Sequence, residues 1–281
     1  MKSTAKNILS KLLADTDAKA GTTLSAPNGK RSFKLLPIGI ITAAFFSFSL
    51  LPSFYSTAGI WAAPLIVLLA AAACVLIFAP GLALLKLLGG RVPASLAPGM
   101  VIIGSAAGGW LLFWAWFTSP LIGLYSSLAL SVAAMLVLSF KTTDGSWEKV
   151  SLPALVSIMV CIGYLSVAGD RGGLEYGENL IGGRYWAVMD NAIPRMFADS
   201  LMNNKARLKP FLLAHWHSSD RPPLQTGMIM AGYPFVNRAG APLAYLVLAV
   251  AVNIFWVWGL WGFLRAVGLT ERNILQVVML R

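Results

Sequence analysis

Residues Ile60 to Ala79 read IWAAPLIVLLAAAACVLIFA, twenty consecutive positions without a charged side chain. A helix of that length rises about 30 Å, which is the thickness of the hydrocarbon core of a bilayer. The composition of the whole chain agrees, since its mean hydropathy is +0.72 and 12% of its residues are charged, about half the share in soluble domains. The sequence therefore predicts an integral membrane protein with an all-α fold.

Five further apolar runs have a similar length, and none of the six contains an acidic residue. A proline lies at or near the start of four of them, where its missing N–H costs least. A seventh run begins at Ile274 but has only seven residues, too few to cross a bilayer. We expect a polytopic bundle of six to seven transmembrane helices, and the five further runs lie near Leu35–Leu51, Leu96–Phe117, Leu121–Phe140, Leu152–Ala168 and Pro242–Leu264.

The charges of the short connections orient this bundle, because cytoplasmic loops carry an excess of Lys and Arg. Seven of the 22 basic residues lie in the first 34 positions. The connections after the first and third runs carry no charge, whereas those after the second, fourth and sixth carry Lys86 and Arg91, Lys141 and Lys149, and Arg265 and Arg272. We expect a protein of the bacterial plasma (inner) membrane with a cytoplasmic N-terminus.

Four parts follow from this interpretation. Residues 1–34 form a basic cytoplasmic arm, and residues 35–169 hold five transmembrane helices. Residues 170–238 form a long extracytoplasmic loop with helices at the membrane surface. Residues 239–281 hold the sixth transmembrane helix and the start of a further one. Because the seventh apolar run stops after seven residues, we expect the chain to be the N-terminal portion of a longer protein.

The remaining composition excludes some classes of function. The net charge is +11, and many of the basic residues lie in the N-terminal arm or beside the apolar runs. This distribution is typical of anchoring to anionic lipid headgroups on the inner side of the membrane, so no nucleic-acid partner is expected. Cys74 and Cys161 both fall within apolar runs, so neither a disulfide nor a cysteine metal site is expected. Several tryptophans lie towards the ends of spans and predict an interfacial aromatic belt: Trp110, Trp114, Trp116, Trp256, Trp258 and Trp261.

Polar chemistry is concentrated in the loop, which holds both histidines and six of the eleven acidic residues. Apolar residues recur at helical spacing from Trp186 to Leu201, and Pro194 suits a helix start. This pattern predicts a helix on the outer membrane surface, with Asp190 on the segment that enters it. Asp190 is either the cap of this helix or a functional carboxylate at the boundary between water and lipid.

The densest polar stretch is His215-Trp216-His217-Ser218-Ser219-Asp220-Arg221-Pro222-Pro223-Leu224-Gln225. Two histidines two residues apart lie on one side of an extended segment, and Asp220 is close in sequence. Zinc normally takes three or more protein ligands, so hydrogen bonding to sugar hydroxyls or phosphate is the favoured role, and a tight turn is the structural alternative. The prolines lead into a predicted helix, Leu224–Tyr233.

The loop follows a span and contains Asp190-Asn191-x-x-Pro194, a predicted surface helix and the stretch from Ser219 to Gln225, before the chain returns through the next span. This order resembles that of the GT-C class of membrane glycosyltransferases. The similarity covers residues 152–281 and points to members related to lipid A aminoarabinose transferases and protein mannosyltransferases. Those enzymes take a sugar from a polyprenyl-phosphate carrier. They usually place this loop after their first span, whereas four predicted spans precede the fifth span and loop here.

The resemblance implies a transferase of the cell envelope, with a lipid-linked sugar as donor, a glycan, lipid or protein as acceptor, and membrane lipids as surroundings. Asp190 and Asp220 are then the expected catalytic carboxylates. Transfer needs a base for the acceptor hydroxyl and positive charge, or a divalent metal ion, at the departing phosphate. The expected substrate-binding residues are Arg195, Lys209, His215, His217, Arg221 and Gln225.

Two other interpretations stay open. A glycan polymerase or ligase of the O-antigen type also uses Arg and His in a long outer loop, without a metal. A transporter subunit or non-catalytic scaffold is the third class. Transporters tend to carry ionisable residues within spans and to show internal repeats, and neither feature is visible in this sequence.

Overall fold

The computed structural model describes residues 62–140, 149–170, 193–203, 211–213, 216–217, 223–232 and 241–279. These residues are almost entirely helical, with one short pair of strands. In chain order the elements are α1 (Ala62–Leu88), a 3-10 turn (Gly89–Arg91), α2 (Ala97–Thr118), α3 (Pro120–Ser139), α4 (Ser151–Asp170), α5 (Ile193–Met202), β1 (Phe211–Leu213), β2 (Trp216–His217), α6 (Pro223–Met230), α7 (Ala241–Asn253), α8 (Phe255–Ala266) and α9 (Glu271–Met279).

Four stretches of the described chain are long and apolar enough to cross a membrane, which makes this an integral membrane protein. They are Val67–Arg91, Ala97–Thr118, Pro120–Ser139 and Tyr245–Ala266. They match the predicted second, third, fourth and sixth spans. The apolar part of α4, at the predicted fifth span, is shorter (Ser151–Leu165), and the predicted first span lies outside the described residues.

Helices α1 and α2 form the centre of the bundle, and they cross where two glycines meet. A Cβ added to Gly104 would lie 2.7 Å from the Cα of Gly81, and one added to Gly81 would overlap the carbonyl of Val101. Pro80 lies inside α1 just before this point, and the N–H of Gly81 donates to Ser105 Oγ (3.3 Å). Small residues thus bring the two backbones together, as is usual for helices in lipid.

The basic connections meet at one end of this bundle. Lys86, near the end of α1, donates to the carbonyls of Leu138 (2.9 Å) and Phe140 at the end of α3. Lys149, before α4, donates to the Val92 carbonyl (2.8 Å). Arg265 in the last turn of α8 reaches the Lys149 carbonyl (3.4 Å) and pairs with Glu271 of α9 (2.9 Å). One end of the bundle therefore gathers the charges that the sequence assigned to the cytoplasmic side.

The last long span is not one continuous α-helix. Ile254 separates α7 from α8, and the N–H of Val257 donates to the Ile254 carbonyl three residues back (2.9 Å). Bonding of this kind is 3-10 geometry, which commonly marks a local irregularity. Helix α7 packs against α1, α4 and α6, while α8 packs against α2 and α4.

The predicted aromatic belt is wrong for half of its members. Trp258 and Trp261 are fully buried, and Trp116 is 5% exposed. Trp258 packs against Phe78 of α1 with ring centroids 5.2 Å apart, so these side chains fill the bundle. The other three, Trp110, Trp114 and Trp256, are 41–50% exposed and face outward.

Candidate functional site

Helix α5 is the predicted surface helix, and the sequence gives it two contrasting faces. Phe197, Ala198 and Leu201 are buried, whereas Arg195 and Asp199 lie on a partly exposed face. The apolar face packs onto the bundle through Phe197, whose ring meets Phe113 of α2 edge-on at 5.4 Å. Phe197 and Leu201, which belong to the apolar spacing that predicts this helix, therefore seat it on α2 and α6. Trp186 and Met189 of the same spacing lie outside the described residues.

Helix α6 lies inside the bundle, deeper than the sequence suggests. Residues Thr226 to Ala231 are all buried, while Leu224 at the start of the helix is 38% exposed. The predicted helix Leu224–Tyr233 is observed as Pro223–Met230. The hydroxyl of Thr226 donates to the Pro194 carbonyl (3.5 Å), which ties α6 to the first turn of α5.

The depth of α6 depends on a glycine pair. A Cβ on Gly227 would overlap the backbone carbonyl of Gly109 in α2, and a Cβ on Gly109 would reach Met228, including its backbone nitrogen at 2.9 Å. Two backbones in such contact leave no room for any larger residue. Since Gly109 lies in the middle of α2, this contact places α6 against the middle of that helix.

A short hydrogen-bond chain fixes the end of α6. The indole N–H of Trp116 donates to Ser127 Oγ (2.9 Å), and the Ser127 hydroxyl donates to the Met230 carbonyl (3.1 Å). All three groups are buried, and they belong to α2, α3 and α6. A carbonyl at a helix end has no hydrogen-bond partner within its own helix. Because the Met230 carbonyl is buried, the hydroxyl of Ser127 supplies the donor that it would otherwise lack.

Arg195 and Asp199 form an ion pair along α5. Arg195 Nε lies 3.7 Å from a carboxylate oxygen of Asp199, and the side chains are 24% and 39% exposed. An exposed pair four residues apart on a helix stabilises it by only about 0.3–0.5 kcal/mol. Such a pair is easily exchanged, so the guanidinium is available to an anion that offers better geometry.

The backbone of His217 lies in a two-stranded antiparallel pair. Phe211 of β1 stands opposite His217 of β2, and Leu213 stands opposite Trp216. Strand β1 lies against α5. Three of the predicted site residues, Arg195, His217 and Gln225, therefore belong to elements that neighbour one another in the order β2, β1, α5 and α6.

The other predicted site residues cannot be placed in this arrangement. Asp190, Asp220, Lys209, His215 and Arg221 lie outside the described residues, and only the backbone of His217 is described. Gln225 is half-buried at the start of α6. Within the ranges that the structure covers, no group of three or more His, Cys, Asp or Glu side chains is arranged to hold a metal ion.

The two cysteines are buried and free. They lie on α1 and α4, close enough to interact with each other, which is a contact that the sequence did not predict. Comparison with known proteins gives no relative, since no family model, no curated protein and no solved structure matches this chain.

Sequence reasoning also missed the residues that position the site. Gly109, Gly227 and Ser127 hold α6 in place, but each lies in a stretch that was predicted to be helical without regard to its small residues. The available signal was a glycine or serine within an otherwise bulky helix, because small residues mark close helix contacts in membranes. That signal identifies a contact face but not the partner helix.

Proposed function

We propose that this protein is a glycosyltransferase of the GT-C type, which transfers a sugar from a polyprenyl-phosphate carrier to an acceptor on the outer side of the bacterial inner membrane. The observation that carries the proposal is the seating of α5. This amphipathic helix follows α4, precedes the span Tyr245–Ala266, and lies in the half of the bundle opposite the basic loops. Its polar face carries a cation and a carboxylate.

Such a position suits a reaction between a lipid-borne and a water-borne substrate. The apolar face of α5 is anchored in the bundle by Phe197 and Leu201, which leaves Arg195 and Asp199 on a partly exposed polar face. In the proposed complex, the phosphate of the isoprenoid carrier lies against that face. Arginine binds phosphate through paired, charge-assisted hydrogen bonds, and Arg195 would exchange Asp199 for the phosphate at little energetic cost.

Asp190 is the proposed base in this mechanism. It lies three residues before α5, and a carboxylate there would take the proton from the acceptor hydroxyl as the sugar is transferred. Asp220, with His215 or His217, is the candidate set for a divalent ion or for the acceptor. Lys209, Arg221 and Gln225 complete the proposed substrate contacts: the cations stabilise the phosphate that departs, and the amide bonds a sugar hydroxyl.

Photocrosslinking tests the donor part of this proposal. A polyprenyl-phosphate sugar with a photoreactive group beside the phosphate should label residues 190–225 of the protein in membranes. Arg195→Gln should lower the yield about tenfold or more, because a hydrogen bond to a charged group is lost. Asp199→Asn is the matched control, since it breaks the same ion pair but leaves the guanidinium, and labelling should persist. Labelling spread evenly over the chain would contradict the proposal.

Mutation separates the O-antigen type of enzyme from this one. A ligase or polymerase of that type loses activity on Arg221→Ala or His217→Ala while Asp190→Asn remains active. A scaffold or transporter subunit shows no transfer and no dependence on any of the three positions.

A further inference from the structure

Asn253 is exposed on the surface of a membrane-crossing stretch. It is the last residue of α7, within the span Tyr245–Ala266, and its side chain faces outward. It lies thirteen positions before Ala266, and therefore about 20 Å above the basic end of the bundle, well inside a hydrocarbon core of about 30 Å. No hydrogen bond to its side-chain amide is present in the part of the chain that the structure describes.

An amide in that place needs a partner. Lipid chains offer no hydrogen bonds, and polar groups at this depth in membrane proteins are satisfied by other protein groups. The carboxamide carries both a donor and an acceptor. The surface around Asn253 should therefore meet a second polar surface rather than lipid.

The residues that follow make this surface suitable for another helix. Trp256, Gly259 and Phe263 are exposed on the same side of α8. A Cβ added to Gly259 would meet only the tip of Ile102, at 3.9 Å, so the backbone is open from outside. Gly259 therefore leaves a shallow depression in the surface between the side chains of Trp256 and Phe263, where the backbone of a second helix can approach closely. Helices in lipid commonly associate through such close contacts at small residues.

We infer that two copies of this chain associate through the face formed by Asn253, Trp256, Gly259 and Phe263. All copies have the same orientation in the membrane, so two α8 helices related by a two-fold axis along the membrane normal run parallel. Identical residues then meet at the same depth. Asn253 faces Asn253, which satisfies donor and acceptor together, and Gly259 faces Gly259 at the closest approach. This association is independent of the proposed transfer reaction.

Crosslinking of the full chain in native membranes tests the inference. Asn253→Cys and Gly259→Cys should form covalent dimers under copper–phenanthroline oxidation, because equivalent positions meet at the axis. Val132→Cys is the control, since Val132 is 53% exposed on α3 but lies off this face. The native Cys74 and Cys161 are buried and add no dimer of their own. Equal crosslinking at all three positions, or none at any, would overturn the inference.

A second measurement separates a second copy from another segment of the same chain. In proteoliposomes, the association constant obtained from energy transfer between labelled copies should fall about threefold to thirtyfold in Asn253→Leu, the range expected for one hydrogen bond in a membrane. Asn253→Gln should largely restore it, because the amide is kept. If Asn253→Leu leaves the transfer unchanged, Asn253 does not lie between two copies and the inference is wrong.

Discussion

Gly227 of α6 lies directly against the backbone of Gly109 of α2, so closely that neither position has space for a Cβ. This contact lets a short helix enter the bundle and, through Thr226 and Pro194, hold the first turn of α5. Helix α5, which carries Arg195 and Asp199, therefore depends on two residues that have no side chain.

Replacing Gly227 with alanine should destabilise the protein. The new methyl group would overlap a backbone carbonyl, and overpacking of this kind costs about 1–3 kcal/mol or more. Thermal unfolding in detergent measures the effect, at about 2–4 °C for each kcal/mol. Gly99→Ala in α2 is the matched control, since its Cβ would have no neighbour within 4 Å. Equal stability of the two variants would contradict the observed helix contact.

Removing the hydroxyl of Ser127 should also be costly. Ser127→Ala leaves the buried Trp116 N–H and the Met230 carbonyl without their partner, and each unsatisfied group costs about 1–3 kcal/mol. Ser126→Ala, at the adjacent half-buried position, should change stability by less than about 0.5 kcal/mol. Denaturation of both variants in the same detergent compares them, and similar losses would argue against a specific hydrogen-bond chain.

The orientation of the bundle predicts how introduced cysteines react. Ser218→Cys should be labelled by an impermeant thiol reagent added outside intact cells, because residues 170–238 are expected to be extracytoplasmic. Ser146→Cys, in the connection between α3 and α4, should be labelled only after the cells are opened. The native cysteines are buried and should give no background. The reverse pattern would overturn both the topology and the proposed site.

Two tryptophans in α8 should respond differently to lipid. Trp256 is 41% exposed and Trp258 is fully buried, although they are only two positions apart. Brominated lipid quenches the fluorescence of tryptophans that it contacts. The fraction of the protein's fluorescence that is quenched should therefore fall in Trp256→Phe and should not fall in Trp258→Phe. An equal change in both variants would mean that α8 is rotated from its observed orientation.

The spans of α1, α2 and α3 are predictable from the sequence because length and apolar composition alone decide whether a helix crosses a membrane. Their limits agree with the prediction to within a few residues, apart from α1, which continues to Leu88. The interruption at Ile254 was not predictable, since Ile254 is an apolar residue among apolar residues. It depends on how α7 and α8 pack against different neighbours.

The candidate site was also predictable from the sequence only in part. The apolar spacing from Trp186 to Leu201 predicts a helix, and α5 is the part of that range that the structure describes. Phe197 and Leu201 are buried there, as the spacing predicts. The ion pair between Arg195 and Asp199 and the support from α6 arise from contacts in space, and Gly109 and Gly227 are 118 positions apart in sequence. The roles of Asp190 and Asp220 stay predictions, because both lie outside the described residues.

Sugar transfer from a polyprenyl-phosphate carrier by membranes that contain the wild-type chain, Asp190→Asn or Asp199→Asn tests the central claim most directly. Asp190→Asn should lower the rate by a factor of about 10² to 10⁴, the typical contribution of a general base, with expression unchanged because asparagine caps a helix nearly as well as aspartate. Asp199→Asn should keep a rate close to that of the wild type, since it removes only a surface ion pair. Near-full turnover by Asp190→Asn, or no sugar transfer by the wild-type chain, would contradict the account.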